Sequence, residues 1–571
     1  MTEATAGAGA RPRLQRPWLQ SYPPGLPAEI DADAYASLNE LFEEGFRAHP
    51  KRVFAICMDR AMRFETLDAL SAAFGGWLQA RGCAPGTRVA IMLPNVLQFP
   101  VALAGVLRAG CVAVPVNPLY TPRELEHQLR DSGAEALVVL ENFGQVAEQA
   151  RARVPMRHVA LAAMGDLLGL AKGAIVNHVV RRVRRLVPPF SLPGAVRFNA
   201  ALAEGGRRGL RPAARIGGDI ALLQYTGGTT GVSKGAVLTH RNVIAAMMQV
   251  EASLKVAIEL RRPQAGPLNV VAALPLYHIY GLAGLCLPSI RSGNCLLLIP
   301  NPRDIPAFVA VLRKYPFHAF PGLNTLFNAL MANPDFQRLD FSGLVFSQAG
   351  GMATQGSVAE RWQQLTGCVV QEGWGLSETA AIGTNNPVTI TAHDGGIGIP
   401  LPSIEVAVRD DDGHDLPPGT PGELCIRGPN VMAGYYERPD ETAKVFWPDG
   451  FLRTGDVGTM DARGWFRIVD RKKDMILVSG FNVFPSEVEA VVSSHEGVLE
   501  CAAIGVPDAG SGEAVKLFVV RRDPSLTEDE LRALCRAQLT GYKQPRQIEF
   551  RDELPKSPVG KVLRRALREP G

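Results

Sequence analysis

The chain has 571 residues, 46% of them apolar and 20% charged, with a formal net charge of +4. At roughly 150 residues per domain this allows about four units or fewer large ones, and the composition is globular rather than disordered or fibrous. The small net charge supplies no general field for nucleic acid. The nine cysteines are scattered with no CxxC pair, so they read as reduced thiols in a cytoplasmic compartment.

Residues 1–35 are rich in Pro, Ala and Gly and read as a loose segment. They have no apolar core of signal-peptide type, and no run reaches the roughly 18 apolar residues a membrane helix needs. From about Leu38 helix and strand patterns alternate. "TLDALSAAFGGWLQARG" predicts an amphipathic helix ended at Gly82, and "TRVAIMLP" a buried strand. "FPVALAGVLRAG" is a helix and "CVAVPVN" a short apolar strand. "YTPRELEHQLRDSG" opens with a capping box, Thr121 with Glu124, and Pro122 at the first helical position. "EALVVL" is the next strand. This rhythm predicts parallel sheets covered by helices. Leu168, Ala171, Ile175, Val179, Val183 and Val187 repeat at helical spacing beside Arg181–Arg185. Such a basic amphipathic helix either packs on its own domain or lies on an anionic membrane surface.

"IALLQYTGGTTGVSKGAVLTHRN" places small donors and one cation between an apparent strand and a helix. Glycines let backbone N–H groups approach phosphate oxygens, hydroxyls add donors and Lys234 adds charge. It is not a Walker A loop, because Lys234 lies between Ser233 and Gly235. After about Ile397 the texture changes: "IEVAVRDDDGHDLPPGTPGELCIRG" has short strands broken by Asp-Gly and Pro-Gly turns and reads as antiparallel. A polar run, Asp470–Lys473, separates two apolar strands and marks a boundary. Mixed α/β pattern then returns.

The loop at Tyr225–Gly235 resembles the signature loop of the acyl-adenylate-forming superfamily. Four further stretches resemble that family in order: "EGWGLSET", "FLRTGDVG", "DRKKDMILVSGFNVFPSEVE" and "LPKSPVGKVLRR". "PVALAGVLRAGCVAVPVNPLYTPRELEHQL", "NPRDIPAFVAVLRKYPF" and "LTGYKQPRQIEFRDELPKS" are similar to the bacterial long-chain fatty acyl-CoA ligases. Trp374 stands where Tyr is commoner in the family, Thr379 where Cys is frequent, and Gln348 where Gly or Ala is frequent.

The resemblance implies an α/β fold with a large N-terminal AMP- and acyl-binding domain over 36–469. Stacked, mostly parallel sheets and a small β-barrel-like part make it up. A hinge at 470–473 and a small mobile C-terminal α/β domain over 474–571 follow. It implies ATP/AMP contacts from Tyr225, Thr226, Gly227, Gly228, Thr229, Thr230, Gly231 and Lys234, and from Gly350, Gly351, Glu372, Gly373, Trp374, Gly375 and Ser377. Asp456, Ile468 and Arg471 complete that set. Thr226 and Glu378 would hold Mg²⁺, and Lys561, Glu378 and Lys234 would be catalytic. Acyl contacts would come from Tyr277, His278, Gly322 and Gly375, the pivot would be Lys473, and Gly480 and Phe481 would meet coenzyme A.

The implied reaction activates a long-chain fatty acid with ATP and passes the acyl group to coenzyme A. "LPLYHIYGLAGL" carries no carboxylate to pair with an amino group, so an amino-acid substrate is disfavoured. Residues 541–571 carry three Lys and five Arg against one Asp and three Glu, which suits a polyanion such as coenzyme A as well as a solvated tail. A ligase for another carboxylic acid and a non-catalytic nucleotide-binding partner of a fatty-acid transporter stay open. So do peripheral contact with the cytoplasmic membrane face and a homodimer.

Overall fold

Strands such as Arg88–Met92 and Ala136–Leu140 are buried along nearly their whole length, as parallel strands covered on both faces must be. The computed structural model describes residues 15–226, 233–261, 266–479, 481–508, 511–557 and 562–568. In it two large sheets dominate. The eight-stranded sheet runs parallel from Ile220–Tyr225 through Val112–Pro115, Arg88–Met92, Ala136–Leu140 and His158–Ala162 to Val196–Arg197. Gly235–Thr239 and Gly434–Tyr435 close its other edge antiparallel. The nine-stranded sheet has a parallel centre that ends in Ala319–Gly322, Phe346–Gly350 and Val370–Trp374. Short antiparallel strands flank it on both edges. The largest apolar core draws on both sheets and on helices Phe64–Ala80, Gln98–Arg108 and His240–Arg261.

The expected capping box forms: Thr121 Oγ1 accepts from the Glu124 amide at 3.4 Å, and Glu124 Oε2 accepts from the Thr121 amide at 2.7 Å. The helix it starts, Pro122–Ser132, ends at Gly133 with φ +59°, where a Cβ would be strained. The expected barrel-like part is a four-stranded antiparallel sheet of Glu405–Arg409, Gly422–Arg427, Leu452–Met460 and Phe466–Arg471. The C-terminal unit packs helices Pro485–Ser493 and Glu528–Gln538 on a sheet whose long hairpin is Val498–Asp508 with Gly512–Arg521.

Three expectations change. Residues 15–35 are not loose: Trp18 is fully buried against Phe466, and Tyr22 donates to the Pro400 carbonyl at 2.7 Å. The stretch after the Gly-rich loop is a strand, Gly235–Thr239, so the loop joins a hairpin rather than a strand to a helix. The basic apolar segment forms a helix, Leu170–His178, continued by one π-type turn, Val179–Val183. Leu168 is buried ahead of it, whereas Ile175 and Val183 stay exposed, so the repeat does not mark one packed face.

Candidate active site

The hairpin loop is pinned at its base. The Thr226 amide donates to the Lys234 carbonyl at 3.1 Å, and Ser233 Oγ donates to the Thr226 carbonyl. Gly227, Gly228, Thr229, Thr230 and Gly231 lie outside the described residues. Tyr225 belongs to the core, its hydroxyl donating to Asp131 Oδ2 at 2.8 Å. Lys234 emerges from the loop base, pairs with Glu441, and holds its Nζ 5.1 Å from the centre of the Tyr435 ring. Its ammonium, with that of Lys444, keeps the Glu441 carboxyl down at about 2. Tyr435 in turn donates to Glu378 Oε1 at 2.7 Å. Burial, together with the Glu378 charge, holds that phenol protonated far above its ordinary range. One aromatic ring therefore joins the hairpin cation to Glu378.

Glu378 sits on a 3₁₀ turn, Ser377–Thr379, just beyond strand Val370–Trp374. Gly375 permits the turn, since a Cβ there would stand 2.1 Å from the Ala381 carbonyl oxygen. Thr379, fully buried, locks it: Oγ1 accepts from the Leu376 amide at 2.9 Å. A hydroxyl at this position has a structural reason. Glu372 turns its buried carboxylate to the Thr354 amide at 3.0 Å and to His393 Nε2 at 2.8 Å.

Trp374, 6% exposed, donates from Nε1 to Asp456 Oδ2 at 2.8 Å. Arg471 Nε lies 2.8 Å from Asp456 Oδ1. The last contact follows from register, because Asp456 and Arg471 face each other across the antiparallel pair. Ile468 pairs with Gly458 in the same ladder. An ionised carboxylate offers about four acceptor positions, so Asp456 retains capacity for two more donors.

Nearby, Tyr277 is half-buried with its phenol pushed up to about 12 by burial. His278 caps a short helix, its Nδ1 accepting from the Tyr280 amide at 3.3 Å. Gly322 ends its strand beneath the Phe327 ring, 3.0 Å from where a Cβ would stand. Gly350 ends strand Phe346–Gly350, and Gly351, with φ +79°, follows it.

Across the strand pair from Asp456, Asp470 is also buried. Its Oδ2 accepts from the Ser486 amide at 2.9 Å and from Ser486 Oγ at 3.0 Å, at the start of helix Pro485–Ser493. Arg564 holds Glu489 through two contacts of 2.8 Å and reaches Asp474 at 3.3 Å. Lys473 lies in the turn between these anchors, and Phe481 is 56% exposed, stacked on Tyr542 at 4.8 Å. Lys561 and Gly480 lie outside the described residues.

The structure thus gathers Lys234 and Glu378 around Tyr435, and Trp374, Asp456 and Arg471 into one contact chain. Sequence reasoning missed Tyr435 and Glu441, 201 and 207 positions beyond Lys234 in number only by their place in "GYYERPDET". That stretch carries no pattern of its own that marks a site.

Two large α/β sheets, a four-stranded antiparallel sheet and a C-terminal α/β unit make up the chain. Residues 42–436 match the family described as AMP-binding enzyme, and 487–561 its C-terminal domain. The chain belongs to the AMP-binding enzyme family. It is 53% identical over 557 residues to a long-chain-fatty-acid–CoA ligase of Escherichia coli O6:H1 (strain CFT073), covering 97% of this chain and 98% of that one. A long-chain-fatty-acid–CoA ligase of Haemophilus influenzae is 48% identical with the same coverage. Among solved structures, an anthranilate CoA ligase in complex with anthranoyl-AMP superposes with TM-score 0.81 at 24% identity, covering 94% of this chain and 98% of that one; this likeness speaks for the fold alone.

Proposed function

We propose that the chain is an AMP-forming ligase that joins a long-chain fatty acid to coenzyme A. The end-to-end match to relatives named long-chain-fatty-acid–CoA ligase carries this reading. In the first step a carboxylate oxygen attacks the α-phosphorus of ATP and pyrophosphate leaves. In the second the coenzyme A thiol, losing its proton, attacks the acyl carbon and AMP leaves. Asp456 accepts from the ribose hydroxyls, held in place by Trp374 and Arg471. Lys234 and the loop donors meet charge developing on the leaving phosphates, and Lys561 bridges carboxylate and α-phosphate. Thr226 and the half-buried Glu378 are hard oxygen donors fit for Mg²⁺, which would neutralise phosphate charge there. Lys473 acts as the pivot for the C-terminal unit, Gly480 and Phe481 face coenzyme A, and Tyr277, His278 and Gly322 border the acid.

Acid-dependent exchange of pyrophosphate into ATP tests the first step, and thioester formation on adding coenzyme A tests the second. A protein that binds ATP without acid-dependent exchange would be a nucleotide-binding partner. Exchange without thioester would make it an adenylate former.

A peripheral membrane location has its own support. Among the described residues no helix is long and apolar enough to cross a membrane. Yet Leu170, Ile175, Val183 and Leu186 are 97%, 64%, 66% and 52% exposed, beside exposed Arg182, Arg184 and Arg185. Arg181 is not part of this surface, being held by buried Glu141 at 2.7 Å. We assign this face to anionic lipid. Ile175→Asp with Val183→Asp should cut sedimentation with anionic vesicles; unchanged sedimentation would refute the assignment.

A further inference from the structure

In "GELCIRG" a carboxylate stands among apolar residues. Glu423 lies on strand Gly422–Arg427 beside fully buried Leu424, Cys425 and Ile426, and is itself 6% exposed. A charge is buried at heavy cost unless it is paired. Its Oε1 accepts from the Gly455 amide at 3.1 Å. Arg453 Nη2 donates to Oε2 at 3.1 Å, and Lys472 Nζ, which also pairs with Asp411, reaches Oε2 at 3.5 Å. Gly455 is the residue before Asp456, and Lys472 is the residue after Arg471. Glu423 thus grips the chain next to each member of the Asp456–Arg471 pair.

The first grip falls where the ladder is irregular. Cys425 pairs with Arg453 and Glu423 with Val457, so Leu424 alone stands against Thr454, Gly455 and Asp456. This is a bulge, which bends a strand and re-aims its side chains. Gly455 adopts φ +72°, and its amide is the group that Glu423 holds. Thr454 Oγ1 donates to the Leu424 carbonyl at 2.7 Å and accepts from the Asp456 amide at 3.1 Å. The second grip closes a ring. The Lys472 amide donates to the Gly455 carbonyl at 3.0 Å, while the ammonium of the same residue returns to Glu423. Both polar groups of the Gly455 backbone are therefore fixed, one by Glu423 and the other by the residue that opens the turn at 472–474.

We propose that Glu423 is a positioning residue for ATP: it sets the bulge that aims Asp456 and ties that bulge to Lys472. The inference rests on the ribose role proposed for Asp456 and adds a residue that acts through it. Coupling of this kind is read from a double-mutant cycle, since residues that act through one another do not add.

Acid-dependent pyrophosphate exchange gives the test, with KM for ATP and for hexadecanoic acid measured on Glu423→Ala, Glu423→Gln, Asp456→Asn and the double variant Glu423→Ala/Asp456→Asn. Glu423→Ala should raise the ATP KM about three- to tenfold, the scale of one lost hydrogen bond, and leave the hexadecanoate KM near wild type. Glu423→Gln keeps an oxygen for the Gly455 amide and should recover most of that loss. The double variant should have the ATP KM of Asp456→Asn alone. Glu423→Asp, one methylene shorter, repeats the comparison if Glu423→Ala does not fold. Effects that multiply in the double variant, an equal rise in both KM values, or an ATP KM unmoved by Glu423→Ala would overturn the proposal and leave the ribose role of Asp456 standing. An ATP KM unmoved by Asp456→Asn would overturn that role and this proposal with it.

Discussion

Two aspartates sit one residue out of step on a single antiparallel strand pair, and they serve different halves of the molecule. Asp456 is bonded by Trp374 of the nine-stranded sheet and by Arg471. Asp470, opposite Val457, is bonded by Ser486 at the start of a C-terminal helix. Both are almost fully buried. The difference lies in who supplies the donors. Asp456 is fixed by an indole and a guanidinium that leave two of its acceptor positions open. Asp470 is spent on backbone and hydroxyl donors that tie down the C-terminal unit. A ribbon a few residues wide thus separates the aspartate proposed to meet ribose from an anchoring one, and the turn with Lys473 begins directly beyond it.

The largest effect should come from the far side of that turn. On the proposed assignment Lys561→Ala lowers adenylation by about a hundred- to a thousandfold, the scale of removing one oriented electrostatic donor. Thioester formation from supplied acyl-AMP and coenzyme A should stay close to wild type. Equal loss in both half-reactions would remove Lys561 from the first step alone. Glu378→Ala, on the ligand side, should cost about a hundredfold in adenylation and raise the Mg²⁺ concentration needed for half-maximal rate. A normal Mg²⁺ dependence would show that Glu378 serves only to hold Tyr435.

Lys473→Pro acts on the proposed pivot. Proline fixes φ and removes a donor, so a turn proposed to adopt two conformations would be stopped in one. Acyl-AMP should form and persist while thioester output falls about tenfold or more, as a blocked conformational step would give. Parallel loss of both steps would mean a structural role.

The smallest effect concerns the body that both halves lean on. His240 is buried, with Nδ1 accepting from the Leu38 amide at 3.2 Å, and burial pulls its imidazole down to about 4. An unfolded histidine titrates near 6.5, so between those values the unfolded chain binds the extra proton. Stability from this group is therefore complete above about pH 6.5 and is lost as pH falls toward 4, by about 1.4 kcal/mol per unit at most. Denaturant titrations of wild type and His240→Asn from pH 7 to 5 should show a shallower pH slope in the variant. Identical slopes would contradict it.

Much of the architecture was legible because its signals are local. The capping box at Thr121 and Glu124, the Val-rich strands and the Asp-Gly turns each declare themselves within a few residues. The five family-like stretches named most of the candidate site for the same reason. What stayed hidden depends on partners remote in the chain. Trp18 is buried because Gly464 lacks a side chain, a Cβ there standing 2.3 Å from the Trp18 nitrogen. Lys234 meets Glu441, and Glu378 meets Tyr435, only after strands Gly235–Thr239 and Gly434–Tyr435 have paired. The second strand of the hairpin was missed because a strand of five residues flows directly into the helix at His240.

The measurement that bears most directly on the account is a paired one on Asp456→Asn and Asp470→Asn, with both half-reactions assayed on each protein. Each substitution keeps shape and removes one charge. Asp456→Asn should raise the ATP KM about tenfold or more, as losing a charge-assisted bond to a ribose hydroxyl would, and spare thioester formation from supplied acyl-AMP less than Lys561→Ala does. Asp470→Asn should leave the ATP KM near wild type and depress the thioester step instead. If both variants lose ATP affinity alike, or neither separates the half-reactions, the division of labour across this strand pair is wrong.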